Sequence, residues 1–133
     1  MRLMFIIPHL GGGGAERVVV NLCNGFKDYE KHIVIFENKI SYEVEANIIS
    51  INSPASQNIV MKLLNFVKRF NALTKIKRKI KPDFVISLLE PANFYNVITK
   101  PRIKKPFYLS TLITKKLSMK THFWEKGLQG SFF

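Results

Sequence analysis

The sequence predicts an α/β fold: a single Rossmann-like domain with a mostly parallel sheet and helices on both faces. Two observations carry this prediction. A strand, a glycine loop, a helix and a second strand follow one another within the first 36 residues. The apolar runs are short and continuous, which is typical of strands buried on both faces. With 133 residues, 47% of them hydrophobic, the chain suits one domain with a sizeable core.

The opening unit is the clearest part of the pattern. The apolar run 3–7 ends at Pro8 and predicts a strand, and a second strand is predicted over 32–36. Between them the four glycines 11–14 precede a helix that should end near Gly25 or Asp28. The expected buried stripe of this helix is Ala15, Val18, Val19, Leu22 and Phe26. Such a strand–helix–strand unit implies parallel strands.

The later elements are predicted from the same signals. In chain order they are a weak strand within 44–51, a helix over 58–79, a strand over 84–88, a short helix over 91–99, a turn at 104–106 and a last strand over 107–110. The long helix should bury Ile59, Leu63, Phe66 or Val67, Phe70, Leu73 and Ile76. We therefore expect one domain over residues 1–110 and an incomplete or irregular tail over 111–133.

The charge of the chain is concentrated in one stretch. The net charge is +12, but residues 46–82 contain eight Lys or Arg and no acid. The predicted long helix carries five cations that could face an anionic membrane surface: Lys62, Lys68, Arg69, Lys75 and Arg78. The alternative is a packed helix with a solvated basic face. Nucleic-acid binding is not expected, because the aromatic side chains read as buried rather than displayed for base stacking.

Several classes of protein are disfavoured. No apolar run approaches the length of a membrane-spanning helix, and the N-terminus does not read as a signal peptide. We expect a cytoplasmic protein, with a peripheral position at the inner face of the membrane as the further option. The single cysteine and three scattered histidines predict no metal site and no cofactor.

The glycine loop is the candidate ligand site. Glycines between a first parallel strand and its helix let a phosphate or sugar approach the backbone and the helix N-terminus. Glu16 stands where a dinucleotide fingerprint needs its third glycine, and no Lys-Ser/Thr pair follows, so NAD and ATP sites are disfavoured. Around the loop, His9, Arg17, Glu90 and Asn93 are weaker candidates for contacts. Each has a structural alternative: Arg17 could pair with Glu16 or Glu90, and Asn93 could lie on a helix surface.

Residues 6–22 read Ile-Ile-Pro-His-Leu-Gly-Gly-Gly-Gly-Ala-Glu-Arg-Val-Val-Val-Asn-Leu. This segment resembles the opening of retaining glycosyltransferases of the GT-B fold, family 4. Residues 81–87 and the segment 91–93 are similar to later parts of the same N-terminal domain. The resemblance implies that Gly12, Gly13 and Gly14 close over the donor phosphates or sugar. It implies a nucleotide-sugar donor, no metal, and a glycan or lipid-linked acceptor of the cell-surface polysaccharide type.

The family's second, donor-binding domain has no counterpart in this sequence. Glu37 and Glu45 have the spacing of its glutamate motif, but they lie in the wrong part of the chain and are interpreted as coincidence. We therefore expect no catalytic residue here and no turnover by this chain alone. The alternative hypothesis is a non-catalytic remnant or subunit that docks a partner or an anionic membrane through the basic helix 58–81.

Overall fold

The computed structural model describes residues 1–100 and the strand at 107–111. The strands are β1 (Arg2–Ile7), β2 (Glu30–Ile35), β3 (Asn47–Ser50), β4 (Phe84–Leu88) and β5 (Phe107–Thr111). The helices are α1 (Gly14–Gly25), α2 (Ile59–Ile80) and α3 (Glu90–Ile98). The five strands pair in parallel in the order β3-β2-β1-β4-β5, which confirms the predicted α/β class. The predicted turn at 104–106 and the tail after residue 111 lie outside the described residues.

Helices cover both faces of the sheet. Alternate residues of β1 point to opposite faces, as the pleat of a strand requires. Leu3, Phe5 and Ile7 pack in one core cluster with Val19 and Cys23 of α1. The intervening strand residues, Met4 and Ile6, belong to a second cluster with Leu73 of α2 and with Ala92 and Tyr95 of α3.

The buried stripe of α1 differs from the predicted one. The helix buries Ala15, Glu16, Val19, Val20 and Cys23. Val18 and Phe26, which were expected to be buried, are 41% and 37% exposed. The run Val18-Val19-Val20 covers more than one face of a helix, so its hydrophobicity alone does not show which face meets the sheet.

The predicted burial of α2 is wrong for its first half. Ile59 is 82% exposed and Leu63 is 65% exposed, whereas Leu73 is fully buried. The reason is length. The 22 residues of α2 span about 33 Å, whereas a six-residue strand such as β1 spans about 20 Å. The N-terminal half of the helix contacts the loop at 52–54 through Asn65, Lys68 and Arg69, and most of its apolar side chains stay exposed.

The order of the strands places a topological switch point beside the first loop. From β1 the chain moves outward to β2 and β3, then returns through α2 to β4 on the other side of β1. The direction of winding thus reverses between β1 and β4, and ligands of open α/β sheets bind at such a point, outside the carboxyl ends of the strands. The loop after β1 and the turn after β4 flank this position.

Candidate functional site at the glycine loop

The loop after β1 is fixed at its base by the segment after β2. The Pro8 carbonyl accepts hydrogen bonds from the backbone N–H groups of Phe36 and Glu37, both at 2.9 Å. Leu10 is fully buried, and its N–H donates to the Lys39 carbonyl at 2.9 Å. The Ser41 N–H donates in turn to the Leu10 carbonyl at 2.8 Å. These bonds hold the start of the glycine run at the carboxyl edge of the sheet.

The four positions 11–14 differ in the physical reason for which each is a glycine. A Cβ atom on Gly11 would lie 2.9 Å from the Lys39 side chain, and one on Gly13 would meet the Glu16 carboxylate. Gly12 has a φ of +65°, which side-chain-bearing residues adopt only with strain. Gly12 and Gly13 are therefore required by the protein itself, whereas Gly11 faces mainly the end of the exposed Lys39 side chain, which can move aside.

Gly14 has no such requirement. It is the first residue of α1, it is exposed, and a Cβ atom there would have no heavy atom within 4 Å. Glycine inside a helix costs about 0.5–1 kcal/mol relative to alanine. The space above Gly14 is open at the N-terminal end of the helix, where the first N–H groups have no partner within the helix. A ligand phosphate or hydroxyl could approach the backbone closely at this point.

Glu16 and His9 form a contact that the sequence analysis did not foresee. The Glu16 carboxylate is buried, and its Oε1 lies 3.2 Å from Nδ1 of His9. Nδ1 of His9 also lies 3.1 Å from the backbone nitrogen of Gly11. The Tyr42 hydroxyl donates a hydrogen bond to the Gly13 carbonyl at 3.4 Å. Glu16 is thus part of the loop's support as well as an acid in the first turn of α1.

The other predicted rim residues separate into exposed and buried ones. Arg17 and Glu90 are exposed at the starts of α1 and α3, and no ion pair joins them or joins Arg17 to Glu16 in the described part of the chain. Asn93 is buried, which corrects the interpretation as a helix-surface residue. Its Oδ1 accepts a hydrogen bond from the Ser87 hydroxyl at 2.7 Å and so ties α3 to β4.

The basic side chains of α2 do not form one exposed surface. Lys62, Lys75 and Arg78 are exposed, and the Lys68 ammonium donates to the Asn52 carbonyl at 2.6 Å. Arg69 was expected to face a membrane, but its guanidinium is turned toward the domain. It donates to the Ser53 hydroxyl at 3.2 Å and lies 4.8 Å from the centre of the Phe36 ring. Arg69 therefore fastens α2 to the loop before it.

Lys77 is the largest departure from the expected basic face, because it is buried. Its ammonium donates to Oδ1 of Asn96 at 2.7 Å, to the Asn96 carbonyl at 3.1 Å and to the Thr99 hydroxyl at 3.0 Å. Burial lowers the pKa of Lys77 to about 7, and the positive charge of Lys100 adds to the fall. Its place four residues after the buried Leu73, on the same helix face, is the signal that could have revealed it.

No group of three or more His, Cys, Asp or Glu side chains is placed to hold a metal ion within residues 1–100 and 107–111. Over the same residues, no helix has the length and apolar character to cross a membrane. A surface hollow contains none of the predicted site residues; it is lined by Asn24, Lys27, Glu43, Val44 and Glu45.

The fold defines a Rossmann-like domain whose strand order reverses beside its first loop. The chain is similar to two glycosyltransferases of Campylobacter jejuni. One is a GalNAc-alpha-(1->4)-GalNAc-alpha-(1->3)-diNAcBac-PP-undecaprenol alpha-1,4-N-acetyl-D-galactosaminyltransferase, 32% identical over 114 residues. The other is an N-acetylgalactosamine-N,N'-diacetylbacillosaminyl-diphospho-undecaprenol 4-alpha-N-acetylgalactosaminyltransferase, 28% identical over 103 residues.

These similarities cover most of the chain but a minor part of each relative. The matches include 83% and 74% of this chain, and 32% and 28% of the two relatives. The chain thus spans about a third of the length of the curated relatives it matches. No protein-family model matches the sequence.

Proposed function

We propose that residues 1–110 form the acceptor-side domain of a retaining, family 4 glycosyltransferase of the GT-B fold. The reaction would move a sugar from a nucleotide-sugar donor to a glycan or lipid-linked acceptor used for cell-surface polysaccharide. The observation that carries this proposal is the open space above Gly14 at the start of α1, in a loop where Gly12 and Gly13 are required internally. Both curated relatives are named as transferases acting on undecaprenol-linked sugars, which supports the acceptor class.

In this proposal Gly12, Gly13 and Gly14 lie against the donor diphosphate or sugar. Gly14 makes the close approach, while Gly12 and Gly13 give the loop its shape. The exposed Arg17 guanidinium is available to a ligand phosphate, and His9 and Glu90 lie after β1 and β4 on the acceptor side. Asn93 supports the turn after β4 through Ser87. No residue of this chain is assigned a catalytic role.

We propose further that transfer requires a second, donor-binding domain. The cleft of a two-domain enzyme would be completed by groups that stabilise the departing diphosphate. Gly14 and Arg17 would then face the donor from one side only. The chain alone is expected to bind weakly and not to turn over.

The exposed half of α2 supports a membrane-associated position, at the cytoplasmic face where lipid-linked acceptors would be met. Ile59 and Leu63 are exposed apolar side chains beside the exposed Lys62. Apolar side chains flanked by cations favour the interface of an anionic membrane. Lys68, Lys75, Arg78 and Lys79 are further exposed cations of α2, whereas Arg69 is excluded by its contacts with Ser53. The same surface supports the alternative function, a non-catalytic subunit that docks a membrane or a partner.

The test supplies a donor-binding half. The chain is co-expressed with the part of the first Campylobacter relative that the similarity does not cover, and transfer of labelled N-acetylgalactosamine to an undecaprenol-linked acceptor is measured. We expect transfer only when both parts are present, and at least tenfold less with Gly14→Ala. Gly25→Ala is the matched control, since Gly25 also has open space around it but lies at the other end of α1. A complex that forms but never transfers would favour the non-catalytic alternative.

A further inference from the structure

The first part of α2 is apolar on more than one side. Residues 59–67 include seven large apolar residues, and each is more than a third exposed: Ile59, Val60, Met61, Leu63, Leu64, Phe66 and Val67. Because successive residues of a helix are about 100° apart, these positions surround most of the helix axis. A helical segment that is apolar all round is normally buried, and an exposed apolar patch of this size marks an interaction surface.

The exposed apolar surface continues onto α3. Phe94 is 52% exposed, and its ring centroid lies 6.2 Å from that of Phe66. We refer to residues 59–67 together with Phe94 as the apolar tip. Residues 68–80 of α2 expose no large apolar side chain. The exposed side chains there are polar or basic: Lys68, Asn71, Lys75, Arg78 and Lys79. The surface of α2 is thus divided along its length into an apolar part and a basic part.

The apolar tip lies at the carboxyl edge of the sheet. At the far end of α2, the Ile80 carbonyl accepts a hydrogen bond from the guanidinium of Arg2, the first residue of β1. Within the tip, the Asn65 side chain donates to the Pro54 carbonyl, in the loop that follows β3. Since all the strands are parallel, the end of β3 and the end of β1 lie at the same edge. The tip is therefore at the edge where the glycine loop begins.

The charges around the tip indicate which partner it fits. Residues 46–82 contain eight Lys or Arg and no acid. Lys62 lies within the tip, Lys68 follows it, and both are exposed. Two copies of this chain that met at the tip would bring these cations together, and like charges repel. An anionic bilayer offers acyl chains to the apolar side chains and phosphates to the cations.

We propose that the apolar tip enters the surface of an anionic bilayer and turns the carboxyl edge of the sheet toward the lipid. This inference rests on the proposed function and deepens its membrane-associated position. Residues 59–67 span about 13 Å, far less than the roughly 30 Å of a hydrocarbon core. The Asn58 side chain accepts a hydrogen bond from the Val60 N–H at 3.0 Å, and polar residues precede it.

The insertion is shallow for this reason. The first N–H groups of a helix need hydrogen-bond partners, which headgroups and water supply and acyl chains do not. The start of α2 therefore stays at the boundary between headgroups and acyl chains, the depth at which interfacial helices lie. A lipid-linked acceptor would reach the domain at the edge where the glycine loop begins.

The test measures which part of α2 the bilayer shields. A fluorophore is attached to Leu64→Cys in the tip or to Arg78→Cys, which lies near the other end of the same side of the helix. Both positions are exposed, so both variants are expected to keep the fold. The native Cys23 is buried, and burial raises its pKa to about 11, so it should not be labelled. Quenching by aqueous iodide is recorded with and without phosphatidylglycerol vesicles.

We expect vesicles to reduce iodide quenching roughly fivefold at Leu64 and to change it little at Arg78, as a helix inserted by one end requires. Equal shielding at the two positions would show that α2 lies flat and would overturn the proposal. So would a Leu64 label that stays open to iodide, or one that is shielded without vesicles as the protein concentration rises, which would indicate a second copy. The co-expression assay, run with the acceptor in detergent, needs no bilayer and judges the proposed function separately.

Discussion

The Lys77 ammonium lies 2.7 Å from the side-chain oxygen of Asn96, inside the contact between α2 and α3. Two further oxygens, the Asn96 carbonyl and the Thr99 hydroxyl, also accept hydrogen bonds from it. These acceptors favour the charged ammonium, whereas burial and the nearby Lys100 favour the neutral amine and lower the pKa of Lys77 to about 7. The charge of Lys77 therefore connects protonation to the stability of the fold.

The first prediction concerns the pH dependence of stability. In the unfolded chain Lys77 has its ordinary pKa of 10.5, so above about pH 7 the unfolded state binds more protons than the folded state. The free energy of unfolding should rise with pH between about 7 and 10, with a Lys77 contribution of up to about 1.4 kcal/mol per unit. Urea denaturation at several pH values measures this slope. Lys77→Met should flatten it, and equal slopes in both proteins would contradict the prediction.

The second prediction separates Arg69 from the exposed cations of its helix. Arg69→Lys should lower the free energy of unfolding by about 1–2 kcal/mol, because an ammonium cannot reproduce both the bonds to Ser53 and the stacking on Phe36. The matched control is Lys75→Ala, which should change stability by less than about 0.5 kcal/mol at an exposed position. Urea denaturation of both variants measures the two changes in the free energy of unfolding. Equal changes would show that Arg69 behaves as a solvated cation.

The third prediction concerns the contact between Gly13 and the Glu16 carboxylate. Gly13→Ala should destabilise the chain by about 1–2 kcal/mol, since the new methyl group must displace a buried carboxylate. In a Glu16→Ala background the loss should be smaller by at least about 0.5 kcal/mol, as expected for residues in contact. Gly12→Ala serves as the comparison. The stability that it loses comes from the positive φ of Gly12 and should not depend on Glu16. Additive losses for Gly13 and Glu16 would argue against the contact.

The fourth prediction concerns the exposed apolar face of α2. Leu63→Asn should weaken binding to phosphatidylglycerol vesicles by roughly tenfold, since immersing a leucine contributes about 1.5–3 kcal/mol. Vesicle co-sedimentation measures the change. Val18→Asn is the control, because Val18 is exposed on α1 at the opposite face of the sheet. If both variants bind as the wild-type chain does, the apolar face has another role.

The elements of the fold could be predicted because their signals are local. The run 3–7, the glycines 11–14 and the helix break at Pro82 are each visible within a few residues of sequence. The strand order could not be predicted in the same way, because it depends on which apolar faces meet across long connections. The exposed half of α2 was missed for a related reason: a helical period shows an apolar stripe but not how much sheet lies beneath it.

The candidate site could be predicted in its backbone but not in its side chains. The glycines are identified by their position after a strand. What a side chain would meet at each of them depends on where Lys39 and Glu16 lie in three dimensions. Asn93 and Lys77 are polar residues that hydrogen-bond inside the domain, and residue type alone does not reveal that they are buried. The roles of His9, Arg17 and Glu90 stay predictions.

The measurement that tests the central claim most directly is a map of where a nucleotide sugar binds. The isotope-labelled chain is titrated with uridine diphosphate N-acetylgalactosamine, and the backbone amide resonances are followed by NMR. We predict shifts at Gly12, Gly13, Gly14 and Arg17, reduced in Gly14→Ala and unchanged in Gly25→Ala. Shifts confined to the hollow lined by Asn24, Lys27 and Glu43, or no shifts at millimolar ligand, would contradict the assignment of the glycine loop as a donor-binding element.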